Sequence, residues 1–340
     1  MSDYKKKENI RLGIIGSGRI AKRFVPETEY VNGINVEVVY NPNLKSAENF
    51  AKINAISVYT DKKQELYMNC DAVYIASPHN THYEYIKDAL KHGKHVLCEK
   101  PMVLKGEEAK ELFELAHNKG LILTEALKTA YAPGFIELMS DVKSGKIGNI
   151  CDVEACFTKL VPYSQAREFD ISENGGSFTE LGSYPLLAIV KVLGRNYKDI
   201  RFISFVDSKD VDLYTKVYMR YEHAIAEIKV GLGVKSEGNL VISGTNGYIL
   251  AQSPWWMTKN YEVCYENRQQ NEKVFREYRG DGLRYEIEAF ISKIKGLEIY
   301  PETFSEEESI FLAEIMEKYL KLRKSGKIEV IKLKNEKIEK

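Results

Sequence analysis

Apolar residues form two kinds of stretch over the first 125 residues, short β-branched runs and longer segments with an apolar helical face. Short runs bounded by turn-forming residues predict six strands, at 9–15, 36–40, 57–59, 71–76, 96–98 and 121–125. Helical stretches, among them 46–54, 83–91 and 105–118, separate most of these strands. Because strands that alternate with helices form βαβ units, we expect an α/β fold with a parallel, doubly wound Rossmann sheet.

The pattern changes after residue 125. A helix at 132–144 and a strand at 149–157 come first, and a long polar loop leads into a helix at 186–193. Strands then follow without helices between them, at 199–206, 212–221, 224–231, 239–243, 247–251 and 261–265, before helices at 285–295 and 306–324. Consecutive strands favour antiparallel pairing, so we expect an α+β second domain on a large, open, mostly antiparallel sheet. The expected domains are 1–124 and 125–340.

Length and charge narrow the classes of function. A chain of 340 residues is long enough for two domains, and its 44% hydrophobic and 29% charged residues are typical of a globular protein. The 49 basic and 49 acidic residues cancel, which argues against binding to nucleic acid or a membrane surface through net charge. There is no apolar run of ~20 residues and no leader-like start, so we expect a cytoplasmic protein. The five cysteines show no C-x-x-C spacing and are expected to be reduced.

The first predicted strand runs directly into a glycine-rich turn. The turn has the pattern G-x-G-x-x-A, formed by Gly16-Ser17-Gly18-Arg19-Ile20-Ala21. Gly16 allows a tight turn, Gly18 lets the backbone approach a pyrophosphate, and Ala21 permits close packing of helix on strand. The pyrophosphate would lie against the N-terminus of the following helix. Because the turn joins a strand to a helix, it predicts a dinucleotide site.

The residue after the second strand bears on the choice of dinucleotide. A site that prefers NAD places Asp or Glu there, where the carboxylate holds both ribose hydroxyls. This chain has the neutral Asn41, and Lys45 and Arg19 are candidate partners for a 2′-phosphate. We therefore expect NAD or NADP, with a slight preference for NADP. The alternative is that Asn41 only caps the helix at 46–54.

A turn that contains two histidines follows the fourth strand. Its sequence is Ser77-Pro78-His79-Asn80-Thr81-His82. The Ser-Pro part is expected beside the nicotinamide ribose, and Thr81 is a candidate N-cap for the helix at 83–91. His79 and His82, like His92 and His95, lack a further cysteine, histidine or carboxylate at ligand spacing. We therefore expect no metal site.

Glu99, Lys100 and Pro101 follow the fifth strand in direct succession. An open parallel sheet binds ligands beyond the carboxyl ends of its strands, which places Glu99 and Lys100 where a cofactor and a substrate meet. Pro101 disfavours the helical conformation for Lys100, and an X-Pro bond can adopt the cis form at little cost. A lysine fixed in this way is suited to catalysis. The alternative is a surface Glu-Lys pair followed by a turn proline.

A later segment, 175–184, has the pattern G-G-x-x-x-E-x-G-x-Y. With the preceding strand-G-x-G-x-x-A, Ser-Pro-x-x-x-His and Glu-Lys-Pro motifs, it resembles the glucose-fructose oxidoreductase / inositol dehydrogenase (Gfo/Idh/MocA) family of NAD(P)-dependent oxidoreductases. The resemblance is greatest to the branch with dimeric dihydrodiol dehydrogenase, because Tyr184 stands where most members have His. A second mark of that branch is the run Asp281-Gly282-Leu283-Arg284-Tyr285-Glu286.

The resemblance implies roles for residues in both expected domains. Lys100 is the implied catalytic lysine, Glu99 a contact of the nicotinamide ribose, and Tyr184 the proton donor. Glu180 stands where the family usually has Asp, and Lys128 begins a segment that departs from the branch. The predicted cofactor-binding residues are Gly16, Ser17, Gly18, Arg19, Ile20, Asn41, Ser77, Pro78, His79, His82, Glu99 and Lys100. The first domain then binds the dinucleotide, and the second binds substrate and forms a homodimer through its open sheet.

Together these residues predict reversible hydride transfer between C4 of a nicotinamide and a carbinol carbon. Tyr184 has an ordinary pKa of about 10, and a nearby ammonium such as Lys100 would favour its phenolate. Glu180 is expected to orient a substrate hydroxyl or to hold Lys100. The loop at 159–170, with Tyr163 and Arg167, is expected to line a pocket for a sugar, cyclitol, diol or dicarbonyl.

Alternatives stay open for the residues of the second domain and for the whole chain. Tyr184 would then be an aromatic packed at a helix start, and Glu180 a carboxylate that complements a helix N-terminus. The chain itself would be a binding protein that senses a nucleotide or sugar without turnover. A pure sensor has no need of both Lys100 and Tyr184, which favours the enzyme.

Overall fold

The computed structural model describes residues 9–162, 167–297 and 304–332. The strands of its first sheet are β1 (Ile10–Ile15), β2 (Ile34–Tyr40), β3 (Val58–Thr60), β4 (Ala72–Ile75), β5 (His95–Glu99) and β6 (Leu123–Ala126). Neighbouring strands are all parallel, in the order β3-β2-β1-β4-β5-β6. The order reverses between β1 and β4, where such sheets form a ligand crevice at their carboxyl edge. The expected doubly wound parallel sheet is confirmed.

The helices among these strands are α1 (Arg19–Thr28), α2 (Leu44–Ile53), α3 (Lys63–Met68), α4 (His82–Lys91) and α5 (Gly106–Asn118). The sequence pattern does not predict α3, because this short helix buries only Leu66 and Tyr67. Thr81 occupies the N-cap position of α4, as predicted, but its side chain makes no cap hydrogen bond. Its hydroxyl instead donates to Ser77 Oγ at 2.7 Å, which stiffens the turn after β4.

The strands of the second sheet are β7 (Ile150–Thr158), β8 (Asp199–Val206), β9 (Asp212–Arg220), β10 (Ile225–Gly231), β11 (Leu240–Gly244), β12 (Tyr248–Ala251), β13 (Asn260–Cys264), β14 (Glu272–Phe275) and β15 (Glu329–Lys332). Their order is β14-β13-β12-β11-β7-β10-β9-β8-β15. The pairs β7–β10 and β8–β15 are parallel and the others antiparallel, which confirms a mostly antiparallel sheet. The pattern does not predict the edge strands β14 and β15, whose short, mostly exposed sequences lack alternation.

The later helices are α6 (Pro133–Lys143), α7 (Ser177–Leu181), α8 (Ser183–Leu193), α9 (Leu283–Ile294) and α10 (Glu306–Lys324). Helix α8 begins three residues before the predicted helix at 186–193, and only Gly182 separates it from α7. The prediction began after Pro185, but a proline fits the first turn of a helix, where backbone N–H groups have no helical partner.

The second sheet has one covered and one exposed face. Helices α7 and α8 pack on the covered face, and Tyr319 of α10 is hydrogen-bonded there to Ser204 of β8 at 3.2 Å. Residues that point the other way, such as Arg201, Tyr218 and Ile225, are exposed in the single chain. No helix in the described ranges is long and apolar enough to span a bilayer.

The contacts of the chain divide it into two compact units. The first unit holds the parallel sheet and comprises 1–103, 107–131 and 279–306, so far as these are described; the second comprises 104–106, 132–278 and 307–340. This division differs from the predicted boundary after residue 124. The cause is α9, whose Leu283, Ile287 and Phe290 lie in the same hydrophobic core as Phe24 of α1 and Tyr74 of β4.

Candidate active site

The turn between β1 and α1 has glycine at two positions for different reasons. Gly16 has a φ of +98°, and a Cβ there would lie 2.8 Å from the carbonyl oxygen of Ala76. Backbone conformation and the close approach of the segment after β4 therefore both exclude a side chain. A Cβ at Gly18 would meet no described atom within 4 Å. Open space above Gly18, at the N-terminus of a helix without an acidic residue in its first turn, fits a pyrophosphate.

Asn41 follows β2 at the same edge of the sheet. Its Nδ2 donates to Ser17 Oγ at 2.9 Å, and its Oδ1 accepts from the backbone N–H of Asn43 at 2.9 Å. The cap of α2 is Asn43, whose Oδ1 accepts from the N–H of Ser46 at 3.0 Å. The alternative that Asn41 only caps this helix is therefore wrong. Asn41 ties the end of β2 to the glycine-rich turn.

His82 connects the turn after β4 with the Glu-Lys-Pro segment after β5. The residue is fully buried, with Nδ1 3.0 Å from the carbonyl oxygen of Pro101 and Nε2 2.9 Å from that of Ser77. Carbonyl oxygens only accept hydrogen bonds, so a neutral ring donates to one of them at a time. His79 is also buried, and its ring centroid lies 5.7 Å from that of His82. Through these contacts the buried His82 ring links the turn after β4 to the Glu-Lys-Pro segment.

Glu99 and Lys100 lie at the carboxyl end of β5, beside β4. Glu99 accepts a hydrogen bond from Tyr74 Oη at 2.5 Å, and the Tyr74 ring stacks on Phe24 of α1 with centroids 3.5 Å apart. Burial raises the pKa of Glu99. The Tyr74 hydrogen bond and the charge of Lys100 lower it, but by less. Lys100 is half-buried, and its peptide bond to Pro101 is cis. The structure thus places Glu99 and Lys100 at the sheet edge that carries the glycine-rich turn.

Two further buried, ionisable residues, Glu286 and Lys128, interact electrostatically with Glu99. Glu286 of α9 is fully buried, and among the described residues its carboxyl oxygens have no hydrogen-bond partner. Burial, together with the charge of Glu99, raises the pKa of Glu286 well above its ordinary value. Lys128 is buried in the turn after β6 and donates from Nζ to the carbonyl oxygen of Asp281 at 2.5 Å. Burial lowers the pKa of Lys128, and the charge of Arg23 lowers it further.

Glu286 belongs to none of the motifs that predict the site, although the sequence carries a signal for it. Leu283, Ile287 and Phe290 recur at helical spacing and form the buried stripe of α9, and Glu286 lies on that stripe. A carboxyl group on an apolar stripe is either paired or neutral once the helix is buried. Such a residue is therefore a candidate for unusual protonation.

The second unit carries two of the predicted catalytic residues, Glu180 on α7 and Tyr184 on α8, and the predicted substrate residue Arg167. Glu180 is 9% exposed, and its Oε1 lies 3.3 Å from an Arg167 terminal nitrogen. Tyr184, one helical turn further on, is half-buried and packs edge-on against Phe157 at 4.9 Å between centroids. The structure therefore brings Arg167 and Glu180 into contact, with Tyr184 next to them on the helical segment. Tyr163 lies outside the described residues.

Asp212 of β9 fixes the start of α7 and was missed by the sequence analysis. It is fully buried, accepts from Ser177 Oγ at 2.7 Å and from the N–H of Phe178 at 2.9 Å, and pairs with Arg323 at 3.0 Å. A Cβ at Gly176 would lie 1.9 Å from Asp212 Oδ1, which explains the second glycine of the Gly-Gly pattern. Arg323 is 111 residues away in sequence, so no local pattern indicates the pair.

Lys100 belongs to the first unit, and Glu180 and Tyr184 belong to the second. Their joint action, like the cofactor contacts assigned to single residues, stays a prediction. In the described parts of the chain, no group of three histidine, cysteine, aspartate or glutamate side chains is placed to hold a metal ion.

Two family models match this chain. The first is described as an oxidoreductase family with an NAD-binding Rossmann fold, of the GFO/IDH/MocA type, and matches residues 10–127. The second is the GFO/IDH/MocA C-terminal domain and matches residues 135–250.

Similar proteins extend the likeness to nearly the full chain. The scyllo-inositol 2-dehydrogenase (NADP+) of Bacillus subtilis is 28% identical over 317 residues, which cover 91% of this chain and 95% of that protein. The trans-1,2-dihydrobenzene-1,2-diol dehydrogenase of Bos taurus is 28% identical over 328 residues, with 92% and 96% covered. A 3-ketoreductase of Actinomadura kijaniata, solved with NADP and TDP-benzene, has the same fold, with a TM-score of 0.82 at 23% identity over 96% of this chain and 100% of that one.

Proposed function

The chain belongs to the GFO/IDH/MocA oxidoreductase family, and from this premise we propose hydride transfer between nicotinamide and a carbinol or carbonyl carbon of a sugar, cyclitol or trans-diol. The protein is an NAD(P)-dependent oxidoreductase, so the enzymatic interpretation of the sequence is confirmed. The observation that carries the proposal is the position of Glu99 and Lys100 at the carboxyl edge that also holds the glycine-rich turn.

The residues proposed to hold the cofactor line one edge of the first unit. Backbone N–H groups at the start of α1 bind the pyrophosphate in the open space above Gly18. Ser77 and Glu99, at the ends of neighbouring strands, hold the nicotinamide riboside. The bound cofactor supplies the hydride carrier, and the protein supplies position and a route for the proton.

Lys100 and Tyr184 are the proposed acid-base residues. Lys100 is half-buried at the end of β5, beside the proposed nicotinamide site, so its ammonium is placed to act on the reacting atoms. Tyr184 is held by its ring contact with Phe157 and donates or accepts the substrate proton through its hydroxyl. Glu180, close to Arg167, orients a substrate hydroxyl.

NADP is the proposed cofactor of the two. Asn41 offers no carboxylate for the ribose hydroxyls, and its amide is already bonded to Ser17. Arg19 and Lys45 are exposed near this edge, and their positive charges would favour a 2′-phosphate. Fluorescence titrations with NADPH and NADH test this, and tighter binding of NADH would contradict it.

Single-turnover measurements of variants test the catalytic assignment. Lys100→Ala and Tyr184→Phe are each expected to slow hydride transfer by at least ~10²-fold while nucleotide binding stays near wild type, since each removes an acid-base group. The absorbance of reduced nicotinamide reports the rate, after a screen of sugars, cyclitols, diols and dicarbonyls has given a substrate.

Matched variants separate catalysis from general damage. Lys94 lies at the opposite end of β5, where its Nζ donates to the carbonyl oxygen of Cys70 at 2.8 Å, and Lys94→Ala is expected to keep the rate. Tyr221 donates to the carbonyl oxygen of Gly194 at 3.1 Å, and Tyr221→Phe serves as the second control. An unchanged rate in Lys100→Ala or Tyr184→Phe would refute the role of that residue. Tight nucleotide binding without turnover of any compound would instead favour the sensor.

We further propose that the exposed face of the second sheet joins two copies of the chain. Ile225, which is 58% exposed, and Tyr218 lie on this face among charges of both signs, including Arg201 and Glu227. A two-fold dimer places this face against its own copy, and charges of both signs around an apolar centre allow opposite charges to meet there. Sedimentation velocity is expected to show a dimer that Ile225→Lys weakens, and a monomeric wild type would contradict the proposal.

A further inference from the structure

The fully buried Glu286 presents an energetic problem that the proposed reaction does not explain. Its two carboxyl oxygens have no hydrogen-bond partner within the described ranges, and the side chain has no contact with solvent. A carboxylate in such a place loses its hydration and receives no hydrogen bond in return. The neutral, protonated acid is therefore the favoured form of Glu286.

The charges around Glu286 come from two other elements. Glu99 at the end of β5 disfavours a second negative charge, and Lys128 in the turn after β6 favours it. Lys128 donates from Nζ to the carbonyl oxygen of Asp281 at 2.5 Å, and Glu286 accepts no hydrogen bond from it within the described ranges. The two carboxyl groups thus face one buried ammonium and repel each other, and burial without donors at Glu286 favours a single negative charge on the pair.

The remaining ionisable groups of this region do not supply the missing charge. Tyr74 donates to Glu99, and burial raises the pKa of its phenol well above the ordinary value, so the phenol stays neutral. Burial likewise raises the pKa of the Cys98 thiol. Arg23 and Asp281 form an ion pair at 2.7 Å and largely cancel each other. The Lys100 ammonium acts on Glu99, which leaves Glu286 as the partner that holds the proton.

The position of the pair suggests what changes its protonation. Glu99 keeps a small exposed fraction of 9% at the carboxyl edge of the sheet, where the proposed function places the nicotinamide. An oxidised nicotinamide ring carries one positive charge and a reduced ring carries none. A positive charge brought close to Glu99 in a water-poor site favours a second negative charge on the pair.

We propose that Glu99 and Glu286 hold one proton between them, and that the pair releases this proton to solvent when the protein binds the oxidised nicotinamide cofactor. Binding of the reduced cofactor leaves the proton in place. In this step one carboxyl O–H bond breaks and no electrons are transferred. The protonated pair becomes the doubly ionised pair, and the proton goes to solvent. The inference rests on the proposed function, because it needs the nicotinamide to bind beside Glu99. Its consequence is that pH tunes the preference between the two redox forms.

Titration calorimetry in buffers of different ionisation enthalpy measures the released protons directly. With NADP+ near neutral pH, the wild type is expected to release about one proton per bound cofactor, and with NADPH about none. The dissociation constant for NADP+ should fall about tenfold per pH unit while the pair titrates, and that for NADPH should stay constant. Glu286→Gln keeps the shape of the side chain and is expected to bind both forms without proton release.

Asp71→Asn is the matched control for charge. Asp71 lies just before β4, at the opposite edge of the same sheet, and pairs with Arg11 at 2.6 Å. This variant is expected to release the proton like the wild type. Equal proton release with NADP+ and NADPH in the wild type, or release that persists in Glu286→Gln, would overturn the proposal.

Infrared difference spectroscopy of the cofactor-free protein gives a readout that needs no nucleotide. The wild type is expected to show the carbonyl stretch of a protonated carboxylic acid that is absent from Glu286→Gln. No such band at neutral pH would overturn the shared proton even if the variant folds poorly. If the band is present but neither nucleotide binds, the proposed function fails and proton release falls with it, while the shared proton stands.

Discussion

Asp212 in the second unit and Glu286 in the first are both carboxyl groups without solvent exposure, and their surroundings are opposite. Asp212 accepts from Ser177 and from the backbone of Phe178, and the Arg323 guanidinium lies against it at 3.0 Å. Glu286 has no hydrogen-bond partner in the described part of the chain, and its charged neighbours act from a distance.

The difference shows that burial alone does not decide what a carboxyl group does. The donors around Asp212 replace the water that it lost, and through them the side chain holds the start of α7 in place. Glu286 lacks such donors, and protonation removes the negative charge that would need them. One group organises the backbone near Glu180, and the other stores a charge that a ligand can alter.

The largest expected effect comes from Asp212→Asn. The change leaves the largely enclosed Arg323 side chain, which is 11% exposed, without its countercharge, and we expect the free energy of unfolding of the second unit to fall by about 3 kcal/mol. Both tryptophans, Trp255 and Trp256, lie in this unit, so urea unfolding followed by tryptophan fluorescence reports on it. Glu329→Gln, which removes the exposed partner of Arg201, is the control and should cost about 1 kcal/mol or less. Equal midpoints for Asp212→Asn and wild type would show that the contacts of Asp212 contribute little.

A second effect, smaller at about pH 5 and with a distinct dependence on pH, is expected for Glu286→Gln. The folded wild type holds a proton that the unfolded chain loses above an ordinary pKa of 4.5, so its stability falls as pH rises from there toward the raised pKa. The slope is at most about 1.4 kcal/mol per pH unit, and the variant lacks this contribution. Calorimetric unfolding over about three pH units, from pH 5 to 8, measures this. The stability of the variant relative to the wild type should increase as pH rises. Parallel curves would contradict a protonated Glu286.

The smallest effect is expected for Asp71→Asn in the first unit. The Arg11 hydrogen bond is the main cause that lowers the pKa of Asp71, so this carboxylate stabilises the fold above its ordinary pKa of 3.8 and loses that effect as pH falls. Both side chains are nearly half exposed, which limits the loss to about 1 kcal/mol. Unfolding at neutral pH in low and high salt measures it, because salt screens an exposed pair. A loss of several kcal/mol that persists in high salt would contradict this assignment.

Local patterns predicted most of the fold. Each strand of the parallel sheet and most strands of the second sheet follow from apolar runs between turn residues, and the first and last helices follow from their apolar faces. The exceptions are short or exposed elements such as α3, β14 and β15, which bury too little to leave a pattern. The observed start of α8 differs from the predicted one because Pro185 lies in the first turn of the helix, whereas the predicted helix begins after this proline.

The site was predictable only where its residues lie at element ends. The glycine-rich turn and the Glu99-Lys100 pair stand at the edge of the parallel sheet that any doubly wound fold uses. Asp212 and Arg323 meet across 111 residues, and Lys128 finds its acceptor in Asp281, 153 residues later. Such pairs arise from tertiary packing, which no window of sequence contains.

Helix α9 has a consequence for biosynthesis. Its Leu283, Ile287 and Phe290 complete the hydrophobic core around Phe24 and Tyr74, yet the ribosome delivers them only after the entire stretch 132–278 has emerged. During translation, residues 1–131 therefore lack the α9 part of their hydrophobic core while residues 132–278 are made. The first unit begins first but is completed only after α9 has been made, and the second unit still needs α10 after that.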